Sequence, residues 1–296
     1  MNIAIIGASG FVGKNLTKYL LLNTNHIILT ICPDPNNIII DEVYKNRVKK
    51  IAADVLNYDQ IYNSLVGVDI AYYLVHMMTT HRNNFYDKET VAAETTGRAL
   101  QSAKVRRVIY MSGLGNDEEK LSTHLKSRHN TGDILRKYVH EVIELRASMI
   151  IGVGSISFEI VKNLVEKSPI IILPKWSKTK TQPIGLNDTL LYLKESIDIS
   201  INKHEIIEIG GMDYMSYQEF IKKYAKYRNK NTIIIRSSIL NEKIAGLFLN
   251  LFTTKDQTNV GKCMLNSFKN EMIVTNKHAG ELFPNINPRK IEEFFI

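Results

Sequence analysis

The sequence predicts an α/β fold, a doubly wound parallel sheet carrying a smaller C-terminal lobe. Three observations predict it. Short β-branched runs alternate with longer helical patterns through the first half of the chain, which is the signature of βαβ units. Many of those runs are apolar at nearly every position, as expected of central strands covered by helices on both faces. A turn with three glycines, Gly7-Ala8-Ser9-Gly10-Phe11-Val12-Gly13, joins the first run to the first helical pattern.

In chain order, Ile3–Ile6, Ile27–Ile31, Val48–Ala52, Ile70–Val75, Val108–Met111 and Val142–Leu145 read as strands. Between them Phe11–Leu22, Tyr58–Leu65, Asn83–Ala103 and Glu118–Tyr138 read as helices. Right-handed crossovers then place a ligand at the carboxyl ends of the strands. The reading divides the chain into a dinucleotide-type Rossmann domain over 1–150 and a smaller substrate or partner lobe over 151–296 packed on it. Past residue 150 the alternation breaks down. That part reads as helices Ser157–Glu166, Asp188–Ile197 and Ser216–Tyr227 with strands near Ile170–Leu173, Gln182–Ile184 and Ile206–Ile209, some of them rejoining the main sheet.

The 296 residues are 44% hydrophobic and 23% charged, a balance that excludes disordered and collagen-like classes. Such a length buries a core without metal or disulfides. Cys32 and Cys263 stand far apart and form no CxxC motif, so a reducing, cytoplasmic setting is expected. The chain opens directly on Asn2-Ile3-Ala4-Ile5-Ile6, and no signal peptide is expected. Its longest apolar stretch, Ile244 to Phe252, falls well short of the roughly 18–20 residues of a spanning helix. The formal charge of +8 is spread along the chain, which argues against a nucleic-acid partner, since such modules cluster their cations on one element.

The glycine turn carries the chemistry. Gly7 permits a tight strand-to-helix turn, Gly10 lets a pyrophosphate approach the backbone, and Gly13 lets the helix pack on the strand. Free N–H groups from Ser9 to Val12, with Phe11 opening the helix, then face the phosphates at a helix N-terminus.

Further stretches follow in order: Asp54-Val55 after the third strand, Tyr72-Tyr73-Leu74-Val75-His76 ending the fourth, and Val108-Ile109-Tyr110-Met111-Ser112-Gly113 at the fifth. Then come Arg146-Ala147-Ser148-Met149-Ile150-Ile151-Gly152, Thr181-Gln182-Pro183-Ile184 with Asp188, and Ile209-Gly210-Gly211. With the GxxGxxG spacing, these resemble the short-chain dehydrogenase/reductase superfamily in its extended or atypical form. Over nearly the whole chain they are similar to its NmrA-like, NAD(P)H-binding group. The resemblance implies bound NAD or NADP, with Gly7, Ser9, Gly10, Phe11, Val12 and Gly13 at the pyrophosphate. It also implies Asp54 and Val55 at the adenine, and Leu74, Val75 and His76 along the cleft.

Ordinary members of that superfamily carry a Tyr and, four residues later, a Lys on the helix after the fifth strand. Here His124 and Arg128 stand at that spacing. They share one helix face, and the guanidinium disfavours a charged imidazole beside it. The candidate catalytic set is therefore His124, Arg128 and Ser112, against the alternative that these residues satisfy buried polar groups or terminate a strand. Cofactor preference stays open, because the second strand runs into Cys32-Pro33-Asp34-Pro35 with no arginine at its end.

His76 and His81 lack a metal-ligand spacing, so no metal is expected and His76 reads as a lip of the cleft. Trp176 reads as packing under its loop, with an anionic site as the alternative. The Ile244–Phe252 stretch reads as core, with a substrate pocket, a dimer contact or a membrane surface as alternatives. Two functions follow. One is an NAD(P)-dependent oxidoreductase on a small carbonyl-type substrate, and the other is a non-catalytic dinucleotide-binding redox sensor, regulator or assembly factor. Both a monomer and a homodimer are compatible with the sequence.

Overall fold

The computed structural model describes residues 1–78, 84–237, 254, 261–262 and 266–295. The Ile244–Phe252 stretch, His81, Arg82 and Cys263 lie outside the described residues. Seven parallel strands form the main sheet: β1 (Asn2–Ile6), β2 (Ile27–Cys32), β3 (Val48–Ala52), β4 (Ile70–Tyr73), β5 (Arg107–Gly113), β6 (Glu141–Ala147) and β11 (His204–Ile209). Their spatial order is β11-β6-β5-β4-β1-β2-β3. Ile3 pairs with Ile28 on one side and Ile70 on the other, so the order reverses at β1. In such sheets the crevice beyond the carboxyl ends of the strands at this reversal is the ligand site.

Alternation along each strand divides the core. Ile3, Ile5, Tyr72, Ile109, Ile143 and Leu145 face one layer of helices; Ala4, Ile6, Ala71, Tyr73, Val108, Tyr110 and Val142 face the other. The first layer includes α1 (Phe11–Asn23), and the second is built by α2 (Tyr58–Leu65), α3 (Phe85–Ser102) and α4 (Thr123–Tyr138). Not every predicted strand is central. β3 is an edge, and Lys49 and Lys50 are exposed there, charges that discourage further strand pairing.

Several helical boundaries differ from the sequence reading, most of all that of the fourth helix. The helix expected from Glu118 starts at Thr123, because the Ser122 side chain accepts from the Leu125 N–H and caps it. Before it, Asn116 accepts from the Glu118 N–H and holds a turn. The third helix starts at Phe85.

Beyond β6 the chain forms β7 (Ile150–Ile151), α5 (Ile156–Lys167), β8 (Ile170–Pro174), β9 (Lys180–Thr181), β10 (Ile184–Gly185) and α6 (Leu186–Glu195). After β11 come β12 (Met215–Ser216), α7 (Tyr217–Tyr227), β13 (Ile233–Ser237) and α8 (His278–Leu282). α6 packs on α1, and β11 completes the main sheet, so both belong to the first layer of packing although they follow residue 150. The second lobe has its own core, in which Phe158 stacks on Phe295 at 6.0 Å and meets Tyr224 edge-on at 5.3 Å. Among the described residues, no helix is long and apolar enough to cross a membrane.

Candidate functional site

The glycine turn has the shape of a phosphate cradle. Gly7 sits at φ +90°, and a Cβ there would lie 2.9 Å from the Leu74 backbone. A Cβ on Gly13 would lie 2.4 Å from the Gly7 carbonyl oxygen, so these two glycines serve the packing of β1, α1 and the end of β4. Gly10 differs. Its Cβ would touch only that same oxygen, at 3.3 Å, and otherwise meet open space. Gly10 is also the N-cap of α1, with no side chain capping the helix and no acid in its first turn. The N–H groups of Phe11, Val12 and Gly13 are the ones a helix leaves without internal partners, and an anion at this end satisfies them. This fits a dinucleotide pyrophosphate.

Asp54, exposed beyond β3, accepts from the Leu56 N–H at 2.9 Å, while its own N–H donates to Gln60 Oε1 at 2.9 Å. Val55 beside it is buried. At the end of β2 the Asp34 carboxylate accepts from the Asn36 N–H and the Asn37 amide, at 3.0 and 2.9 Å. It is thus engaged in its own turn. The nearby Cys32 thiol is buried; burial pushes it up, against hydrogen bonding from Ser9.

At the reacting end Arg128 is buried and tied to backbone. Nη1 donates to the Val75 carbonyl at 2.9 Å, Nη2 donates to the Met111 carbonyl, and the guanidinium lies 4.9 Å over the Tyr110 ring. The Tyr110 hydroxyl in turn donates to the Arg128 carbonyl at 2.8 Å. Arg128 therefore clamps the ends of β4 and β5 together. Ser112 is 6% exposed and lies beside the Tyr110 phenol.

His124, at the start of α4, is half-buried with both ring nitrogens engaged. Nδ1 meets Ser267 Oγ at 3.0 Å, and Nε2 meets His76 Nε2 at 3.2 Å, with the two rings stacked at 5.1 Å. Burial first, then the facing His76 and Arg128, push His124 down to about 3, so its ring is neutral near pH 7. His76 Nδ1 lies 2.6 Å from Glu89 Oε1. That carboxylate is buried in α3 and also accepts from the Met77 N–H at 2.9 Å and from the Ser127 hydroxyl. Burial raises the Glu89 pKa, but His76, Arg128 and Ser127 outweigh it and hold the group well below the usual carboxylate range.

The sequence reading brought His76, Leu74 and Val75 to the cleft and missed Glu89 and Ser267. Glu89 had a signal. It shares the buried face of α3 with Ala92, Ala93, Thr96 and Leu100, and a carboxylate in an apolar stripe needs a partner. Ser267 had none. Trp176 packs on Tyr217 and Phe268 at 6.3 and 5.5 Å. Among the described residues, no group of three His, Cys, Asp or Glu is disposed to hold a metal ion.

Residues 7–150, which hold the cradle, β4 and the start of α4, match the NAD(P)H-binding family. The N-terminal half is an NAD(P)H-binding domain. With the parallel sheet, this fits the resemblance to the atypical short-chain dehydrogenase/reductase, NmrA-like group. The chain is similar to triphenylmethane reductase of Citrobacter sp., solved in complex with NADP(H), with TM-score 0.78 and 14% identity over 100% of this chain and 99% of that one. It also resembles a nucleoside-diphosphate-sugar epimerase from Staphylococcus aureus, with TM-score 0.76 and 12% identity over 100% and 99% of the two chains. At these identities the likeness is one of fold. Among curated proteins it is 24% identical over 123 residues to the auxiliary protein GraX of Staphylococcus aureus (strain NCTC 8325 / PS 47). That match takes in 40% of this chain and only 38% of GraX.

Proposed function

We propose that the protein is an NAD(P)H-dependent oxidoreductase acting on a small carbonyl-type substrate in the cleft between the NAD(P)H-binding domain and the second lobe. The observation that carries this reading is the convergence of an open phosphate cradle at Gly10 with a buried polar network at the ends of β4 and β5. When bound, the dinucleotide would supply one hydride, which carries both electrons of the reduction. The chain's own residues do the rest. With Gly7 making the turn, Ser9, Gly10, Phe11, Val12 and Gly13 hold the pyrophosphate, chiefly through the N–H groups of Phe11, Val12 and Gly13; Asp54 and Val55 border the adenine, and Leu74 and Val75 line the path toward the reacting end. Arg128 is a positioning residue, because its donors already hold the Val75 and Met111 carbonyls. Ser112 offers a hydroxyl to a substrate oxygen, and His124 with His76 holds protons beside it. A reduced nicotinamide pool and the buried thiol of Cys32 suit a cytoplasmic setting.

A second reading is a dinucleotide-responsive auxiliary protein without turnover, as the name of GraX suggests. It is favoured by the engagement of both His124 nitrogens and the Arg128 guanidinium with protein atoms. One preparation separates the two. NADH and NADPH are titrated by fluorescence, then oxidation of the bound cofactor is followed across a panel of carbonyls and quinones. Binding with turnover supports the oxidoreductase; binding with no turnover across the panel overturns it in favour of the second reading.

A further inference from the structure

The geometry points to His76, held by the buried carboxylate of Glu89, as the ring that carries and exchanges the mobile proton of this site, with His124 as its neutral partner. This deepens the oxidoreductase reading and rests on it for the role in turnover. An ionised carboxylate only accepts, so His76 Nδ1 facing Glu89 Oε1 carries a hydrogen. Two imidazole nitrogens 3.2 Å apart share one hydrogen between them. Both placements of that hydrogen are satisfied by the neighbours. With His76 charged, its Nε2–H donates to His124 Nε2, and His124 Nδ1–H donates to Ser267 Oγ. With His76 neutral, His124 Nε2–H donates to His76 and the Ser267 hydroxyl donates to His124 Nδ1. Ser122 Oγ, 2.9 Å from Ser267 Oγ, completes either chain.

The charge favours His76 over His124. Glu89 from α3 lies against His76 with an opposite charge, while Arg128 from α4 lies 3.9 Å from that same carboxylate and disfavours a second cation on α4. His76 is also the more accessible ring, with its side chain 39% exposed while His124 is half-buried. It can therefore be reloaded from solvent. A carboxylate behind an imidazole fixes the tautomer and stabilises the cation, the arrangement that general acids and bases use.

In the reducing direction the reduced dinucleotide, held at the Gly7–Gly13 turn, would supply the hydride to a carbonyl carbon and leave the C–O electron pair on oxygen. That oxygen takes the proton from His76 Nε2; the N–H bond breaks, an O–H bond forms, and His76 remains neutral with its Nδ1–H still on Glu89.

The test is long-range nitrogen–proton NMR of the histidine rings in the folded protein without cofactor, with signals assigned by their loss in His76→Gln and His124→Gln. The expected result is a His76 ring that carries its hydrogen at Nδ1, toward Glu89, and a His124 ring still neutral at pH 5. In Glu89→Gln, checked for folding by circular dichroism, that preference for Nδ1 is lost. A His124 ring charged at pH 5, or an unchanged His76 ring in folded Glu89→Gln, overturns the assignment. With a carbonyl that turns over, His76→Gln lowers kcat by about 10²–10⁴-fold and leaves NAD(P)H affinity within about twofold. Glu89→Gln shifts the pH midpoint of kcat by about one unit or more. Full-rate turnover in His76→Gln would remove it from the reaction. Failure of every carbonyl, with the ring spectra as expected, would refute the oxidoreductase reading alone.

Discussion

His76 and His124, 48 residues apart in sequence, meet at their Nε2 atoms 3.2 Å apart with their rings stacked. The pair joins the end of β4 to the first turn of α4, and through Ser267 it reaches the second lobe. Its electrostatics give a stability signature. His124 ordinarily titrates near 6.5 and is pushed down to about 3 in the fold. Between those values the unfolded chain binds a proton that the folded one refuses, so stability is lost as pH falls through that window. His124→Gln should flatten the fall in denaturation midpoint between pH 7 and pH 5. An identical fall in wild type and variant would contradict the neutral assignment.

Gly13 should matter to the fold more than to the ligand. A methyl group there meets the Gly7 carbonyl oxygen at 2.4 Å, a contact that requires backbone movement. Gly13→Ala should cost at least about 1–3 kcal/mol, the usual range for overpacking. A urea midpoint equal to wild type would show that α1 shifts freely on β1.

Asp54 should contribute affinity without chemistry. Its carboxylate is exposed and already braces the Leu56 N–H, so Asp54→Ala should weaken NAD(P)H by a few fold, on the order of 1 kcal/mol for a hydrogen bond. Turnover at saturating cofactor should stay unchanged. A crystal of the complex with the adenine far from Asp54 would refute this.

A second buried network braces the far side of α4. Glu144 is fully buried and accepts from Arg146 Nε at 2.8 Å and from Arg136 Nη1, while Arg146 Nη1 donates to Asp117 Oδ2 at 2.7 Å. Removing the carboxylate leaves two guanidinium groups facing an empty site. Glu144→Ala should therefore destabilise by about 3–5 kcal/mol, read as a lower thermal midpoint. A change within about 0.5 kcal/mol would mean that water substitutes for the carboxylate.

Local devices were legible in the sequence and distant pairings were not. Tyr58–Leu65 forms a helix at the predicted bounds because the Asn57 side chain caps it by accepting from the Gln60 N–H. The cradle was legible because its glycines, strand and helix are contiguous. The start of α4 was missed because a charged, helix-compatible run precedes the Ser122 cap. Glu89 was legible only through the buried stripe it interrupts, and Ser267 lies 143 residues from the ring it contacts, beyond any local pattern. Lys49 and Lys50 mark β3 as an edge, which the β-branched reading passed over.

The most direct test of the account is a fluorescence titration of NADH and NADPH against wild type and Gly10→Val, because a Cβ at Gly10 meets little protein and projects into the space assigned to the pyrophosphate. The account predicts a folded variant, with a wild-type circular dichroism spectrum and melting temperature, whose affinity for both dinucleotides is lost or falls by at least about tenfold, 1.4 kcal/mol. Wild-type affinity in a folded Gly10→Val protein would contradict it.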